Sequence, residues 1–234
     1  MVVLPQEVVA QDAQLSEIQE SVEREGASAV FFAGDLKVGH GENKFSKVEG
    51  IRQVNTDGSV TYFIKADKRT RSAAQIYRHE YFHGLISENR GLLLDLVEEL
   101  RSQYGQEEID RLVLAYVEAF DGIYGEFTED MTQEDSDELA MVYLEELFAD
   151  VYAGIKRGQV NTANAQSVVE NQRGAIDAAK ENRRATRDTR GAPEQRYMIR
   201  RRRTERSTCW PTGRLSSETI LRAGASSLKI ISTG

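Results

Sequence analysis

Residues 79–83 read His-Glu-Tyr-Phe-His, two histidines four positions apart with an acid beside the first. Positions i and i+4 share a face of a helix. The pentad therefore predicts a helix on which two imidazoles hold one divalent cation, with Glu80 near the open coordination position where a water sits. The chain has three histidines, and two of them fall in this pattern. The flanks suit a helix running through a core: Ile76, Tyr77, Tyr81, Phe82 and Leu85 are apolar or aromatic, and Glu80 is the sole acid from Ile76 to Leu85. Ser72-Ala73-Ala74-Gln75 has the spacing of a capping box that starts such a helix. The plainer reading is an amphipathic helix with two hydrogen-bonded histidines and a solvated Glu80.

A catalytic metal needs a third protein ligand. A downstream Gly-x-x-His extension of the pentad is excluded, because Ile86 and Asn89 stand at those positions. His40 lies upstream and reads as a structural or surface residue. The better candidates are Glu146 and Asp150, four apart in a segment that reads as a helix from about Ser136 to Ala153. Leu139, Val142, Tyr143 and Ala153 are expected on the same side as these two acids. Acids on an apolar side are costly to bury unless they are paired or bind a metal. Against this stands a solvated acidic face formed by Glu145, Glu146 and Asp150.

These two segments resemble the gluzincins, zinc peptidases of the thermolysin-like type, in which a helix after His-Glu-x-x-His carries Glu-x-x-x-Asp. The resemblance implies that His79, His83 and Glu146 bind Zn²⁺ and that Asp150 accepts the free ring N–H of His79. Glu145 competes for the ligand role, but Ala149 rather than an acid follows it by four. The gap between the motifs is longer than in the best-known members, so the likeness covers the site and not a whole domain. The string Glu-Glu-Leu-Phe-Ala-Asp-Val-Tyr-Ala-Gly is also similar to zincin domains in phage and mobile-element proteins of bacteria, over roughly residues 25–157.

The remainder of the chain is read from pattern. Leu15 to Arg24 is a polar-faced helix and Ser28 to Ala33 a short apolar strand. Residues 38–46 form a loop. Val48 to Thr56 and Ser59 to Ala66 flank Asp57-Gly58, a two-residue hairpin turn signal. After the metal helix, Leu92 to Tyr104 and Glu107 to Phe120 repeat apolar residues at helical spacing. Glu126 to Glu138 is an acid-rich solvated loop that lacks the glycine and spacing of a calcium site. Asn161 to Gln172 is a short helix. The expected fold class is α+β and zincin-like: a small N-terminal sheet with a hairpin, then the metal helix and a mainly helical C-terminal part. In such folds the edge strand before the metal helix binds substrate backbone, and the resemblance puts that strand at Ser59 to Ala66.

Three segments are expected: an N-terminal helical segment at 1–24, a zincin-like domain at 25–180, and a basic, disordered tail at 181–234. Net charge is −8, with about −16 in residues 1–180 and about +8 beyond them. Bulk charge opposes general nucleic-acid binding, so nucleic acid is expected only through the tail and its run Arg200 to Arg203. The single cysteine, Cys209, excludes an internal disulfide and a cysteine metal cluster. No signal sequence opens the chain and no stretch of about 18 apolar residues occurs, so no membrane partner is expected. The expected location is the bacterial cytoplasm or a phage particle.

The resemblance implies a zinc-dependent peptidase, an endopeptidase rather than an exopeptidase, that hydrolyses protein or peptide bonds through a zinc-bound water with Glu80 as general base. Tyr124, Tyr143 and Tyr152 are the candidates for stabilising the oxyanion. Two other readings stand beside it. One is a non-catalytic zincin-like structural or binding module of a phage or mobile-element assembly, and the other is a nucleic-acid-associated protein directed by its tail. An intact Glu80 favours the peptidase.

Overall fold

The computed structural model describes residues 1–39, 45–67 and 69–190 as an α+β fold. In chain order come β1 (Val2–Val3), α1 (Gln6–Gln11), α2 (Ala13–Arg24), β2 (Ser28–Ala33), β3 (Leu36–Gly39), β4 (Phe45–Val48), β5 (Gly50–Val54) and β6 (Val60–Lys65). Helices follow: α3 (Ala73–Glu88), α4 (Arg90–Tyr104), α5 (Gln106–Ala119), α6 (Gln133–Ala153), α7 (Ala163–Asn171) and α8 (Arg173–Arg190).

The sheet order is β1-β2-β6-β5. β2 and β6 are parallel, and the outer pairs β1–β2 and β5–β6 are antiparallel. β6 therefore lies inside the sheet, and the strand expected as an edge at Ser59 to Ala66 is not one. β5 is the edge on the α3 side. Its backbone directions follow from the ladder. Asn55 N–H reaches the Ser59 carbonyl and Lys65 N–H the Glu49 carbonyl, so residues 49, 51, 53 and 55 bond β6 while Gly50, Arg52 and Val54 present their N–H and C=O outward. The hairpin loop also differs from a two-residue turn. Asn55 and Ser59 close a three-residue loop in which Gly58 takes φ +84°, a position suited to glycine. Residues expected as a loop at 38–46 include the ends of β3 and β4, which pair antiparallel with Val38 opposite Ser46. His40 lies outside the described residues.

Two apolar clusters meet at α3. One fills the space between the sheet and α1, α2 and α3, with Ile18, Val22, Phe31, Tyr62, Ile64 and Ile76 at its centre. The N-terminal helical segment thus shares the core of the sheet. The larger cluster joins α3 to the later helices through Phe82, Leu85, Leu96, Leu112, Tyr116 and Phe148. A helix between two cores is apolar on most of its circumference, which is why α3 and α6 lack the one-sided pattern of α2. Leu139, Tyr143 and Ala153 of α6 are buried with Glu146 and Asp150, but Val142 is 40% exposed and faces away. α6 also begins earlier than expected. Thr132 caps it by accepting the Asp135 N–H, drawing Glu134, Asp135 and Asp137 out of the expected acidic loop into the first turns. There their charges oppose the positive helix end.

α8 runs on past the boundary expected at 180, and residues 181–190 are helical rather than a disordered tail. Arg183, 3% exposed, anchors it against the middle of α3. Its guanidinium reaches the Tyr62 hydroxyl at 3.1 Å and lies over the Tyr81 ring. The approach is possible because Gly84 carries no side chain: a methyl there would stand 2.7 Å from Arg52 Nε and 2.9 Å from Arg183 Nη1. The rest of the basic segment, from 191 on, lies outside the described residues. Among the described residues no helix is long and apolar enough to cross a membrane.

Candidate metal centre

The start of α3 is fixed by the capping box expected from Ser72 and Gln75. Ser72 Oγ accepts the Gln75 N–H at 3.1 Å, and Gln75 Oε1 accepts the Ser72 N–H at 3.0 Å. The Gln75 amide then donates to the Gly154 carbonyl at 2.8 Å, tying the first turn of α3 to the end of α6. Gly154 closes α6 in the left-handed region, φ +69°. With those ends joined, the middles of the two helices face each other.

His79 and His83 project from α3 toward Glu146 of α6. His79 Nε2 is 3.1 Å from His83 Nε2 and 3.3 Å from Glu146 Oε2, and His83 Nε2 is 3.6 Å from Glu146 Oε1. His79 and Glu146 are buried and His83 is half-buried, and one ligand atom from each lies within 4.8 Å of the others. This group could hold a metal ion.

Each imidazole is held from behind by an acid of α6. His79 Nδ1 lies 3.0 Å from Asp150 Oδ1, an ion-pair contact whose angle falls short of a well-directed hydrogen bond. His83 Nδ1 lies 2.7 Å from Glu145 Oε1. Glu145 thus stands behind a histidine rather than competing with Glu146. Carboxylates on Nδ1 leave both Nε2 atoms aimed into the site. Asp150 is itself gripped by Arg157, at 2.6 and 3.1 Å, and approached by the Tyr116 hydroxyl at 3.4 Å. Arg157 in turn lies over the Phe120 ring, 3.9 Å from its centroid.

Of the three tyrosines considered from sequence, Tyr124 alone reaches the group, donating to Glu146 Oε1 at 2.8 Å. The Tyr143 hydroxyl donates to the Gly125 carbonyl at 2.6 Å, and Tyr152 packs on Phe82. Glu80, one residue on from His79, turns toward β5, where its Oε2 accepts the outward N–H of Arg52 at 3.0 Å. β5 comes this close because residue 50 is glycine. A methyl there would meet Ile76 Cγ2 at 2.5 Å and Glu80 Oε1 at 2.9 Å. Gly50→Ala is accordingly expected to destabilise the protein by about 1–3 kcal/mol by overpacking, read by chemical denaturation. An unchanged midpoint would mean that β5 does not press on α3.

Burial pulls the His79 imidazole down, but Asp150 and Glu146 outweigh it and hold it up at about 9. Burial likewise opposes, and Glu145 and Glu146 overcome, the rise at His83. Burial pushes Glu146 up, yet His79, His83 and Tyr124 bring it down to about 2. Burial dominates at Glu80 and raises its carboxyl, against the pull of the two histidines. The consequence for the metal-free protein has a definite sign. His79 stands above its ordinary 6.5, so its contribution to stability is complete below pH 6.5 and fades as pH rises through about 9. Glu146 stands below its ordinary 4.5, so its contribution is complete above pH 4.5 and fades as pH falls toward about 2. Metal-free stability is expected to peak between those two ordinary values, and metal binding at pH 7 to release protons, because His79 must shed its charge to ligate. Denaturation across pH and calorimetry in buffers of different ionisation enthalpy check both. Rising metal-free stability between pH 7 and 9, or uptake of metal without proton release, would contradict the coupling.

Comparison with protein-family models, with curated proteins and with solved structures returned no match.

Proposed function

We propose that the chain is a zincin-like, zinc-dependent endopeptidase that cleaves a protein or peptide laid along β5. The observation that carries this reading is the convergence of two imidazole nitrogens and the Glu146 carboxylate, one ligand atom from each within 4.8 Å of the others. Zinc binds imidazole nitrogen and carboxylate oxygen at about 2.0–2.1 Å in tetrahedral geometry, which separates ligand atoms by about 3.3–3.4 Å. The two Nε2 atoms, 3.1 Å apart, are near that value, and Glu146 offers Oε2 at 3.3 Å from His79 and Oε1 at 3.6 Å from His83. With their Nδ1 atoms at carboxylates, both Nε2 atoms face the same space and can share a cation once His79 sheds its proton. His79, His83 and Glu146 would be its ligands, leaving one position open.

A bound zinc would supply Lewis acidity to a carbonyl oxygen and acidify a water. The chain's own residues account for the rest. The outward N–H and C=O groups of β5 hold an extended peptide by main-chain bonds, with little dependence on sequence. A peptide carbonyl that accepts the Arg52 N–H displaces the Glu80 carboxylate now bonded there. Glu80, so released, takes a proton from the attacking water, whose oxygen bonds to the peptide carbonyl carbon. The C–N bond breaks, and Glu80 returns the proton to the departing amine. Burial, which raises the Glu80 carboxyl, favours its taking up that proton. Tyr124 steadies Glu146 through its hydroxyl. Cleavage of an unfolded protein substrate by the zinc-loaded chain tests the proposal. Zinc retention with no cleavage by the wild type would instead favour a metal-holding binding module.

A further inference from the structure

At the Val54 end of β5, past the candidate metal group, lies a cavity of about 710 Å³, lined among others by Arg52, Val54, Ser87, Glu88, Asn182 and Arg183. It opens at the far end of β5, where Val54 is 57% exposed. Arg52 connects it to the candidate cleft, since its backbone N–H meets Glu80 while its side chain, on the face that carries Tyr62, reaches into the cavity.

Two arginines and two acids, Glu25 and Glu88, line the cavity. Arg52 Nη2 and Arg183 Nε share the carboxylate of Glu88, at 3.1 and 3.3 Å. Glu88 is on the rim, its side chain 38% exposed. Glu25, on the opposite wall, accepts the Tyr77 hydroxyl at 2.8 Å. Arg52 Nε is buried and makes no hydrogen bond among the described residues, and Arg183 Nε has only the ion-pair contact. A guanidinium offers five N–H donors in a planar fork that fits a carboxylate bidentately. The Arg183 fork is spent on Glu88, the Tyr62 hydroxyl and the Tyr81 carbonyl, so Arg52 Nη2, whose partner Glu88 is on the rim, is the donor a peptide carboxylate can take.

We propose that this cavity is a carboxylate subsite of the β5 cleft, taking an acidic side chain, or the terminal carboxylate, of a peptide bound along that strand. The proposal rests on the peptidase reading for the peptide's position, and it adds the specificity. Glu80 and Glu88 are eight residues apart on α3, about 12 Å at the helical rise. An extended peptide covers that span in about four residues. The recognised carboxylate therefore lies within about four residues of the cleaved bond.

The test uses the zinc-loaded full chain and peptides with Glu or Gln at each position in turn, each made with a free and an amidated C-terminus. At one position Glu is expected to exceed Gln by about tenfold or more in kcat/KM, since a site built for a polar group discriminates against its absence. Arg52→Gln is expected to reduce that ratio to about threefold or less, because it removes the fork. Glu88→Gln is expected to raise the ratio above the wild-type value by removing the competing acid, a change that simple loss of structure would not produce. If amidation rather than internal Glu sets the rate, the recognised carboxylate is the terminal one. Equal cleavage of all these peptides overturns the subsite. If no peptide is cleaved, the peptidase reading fails separately, and labelled Glu and Gln peptides are titrated against zinc-loaded Glu80→Gln. Tighter binding of the Glu peptide by about tenfold, lost on adding Arg52→Gln, supports the subsite; equal binding or none overturns it.

Discussion

Glu80→Gln is expected to retain one zinc per chain and to lose peptide cleavage by a factor of about 10²–10⁴. The two halves have separate causes. Glu80 is outside the group formed by His79, His83 and Glu146, so its amide leaves the metal ligands in place. The amide cannot take a proton from water, so the base is gone. The substitution is nearly isosteric, and the amide oxygen still accepts the Arg52 N–H that the carboxylate accepts now. Folding is therefore expected to be preserved, and burial of a neutral amide costs less than burial of a charge. Metal analysis and kcat/KM on the same preparation read both halves. Loss of zinc in the variant would place Glu80 among the ligands, and unchanged cleavage would remove it from the chemistry.

The second large effect concerns stability. Zinc at about a thousand times its dissociation constant is expected to stabilise the fold by about 4 kcal/mol. For a chain of this size that shifts the melting temperature upward by about 8–16 °C. Glu146→Ala is expected to abolish the shift. It removes the proposed ligand on α6, and with it the link by which the metal would join α6 to α3. It also costs the metal-free protein about 3–5 kcal/mol, as breaking a buried ion pair does, because His79 keeps only Asp150 as an acidic partner and the Tyr124 hydroxyl loses its acceptor. Thermal melts with and without zinc separate the two contributions. An equal zinc shift in wild type and Glu146→Ala would place the ion elsewhere.

What the sequence made legible here is local. The i, i+4 histidines, the capping box at Ser72 and the acids Glu146 and Asp150 are set by helical spacing, and a helix of any tertiary setting presents them alike. The two helices also needed to meet; the burial cost of acids on an apolar side was the argument for ligation, and the structure puts Glu146 and Asp150 against His79. Sheet order is different. Whether β5 or β6 forms the edge depends on β2 lying parallel to β6, a pairing between segments some thirty residues apart that alternation in either strand cannot reveal. The place of Glu145 behind His83 was hidden for a related reason: adjacent residues on a helix diverge, so next to Glu146 it resembled a rival ligand. A strand opening on Gly50 was the available signal of close backbone approach. Arg183 gave no signal at all, because one arginine among many in an apolar-poor stretch is recognisable as an anchor only once Gly84 is seen to open a slot for it. Tyr124 and Arg157 reach the group from loops, whose paths depend on the packed helices beneath them.

The most direct measurement is anomalous diffraction at the zinc edge from crystals of the full chain grown with zinc. The expected result is one strong peak about 2.0–2.2 Å from His79 Nε2, His83 Nε2 and a carboxylate oxygen of Glu146. A peak bound by other residues, or a Glu146 carboxylate turned away from both imidazoles, would contradict the proposed centre.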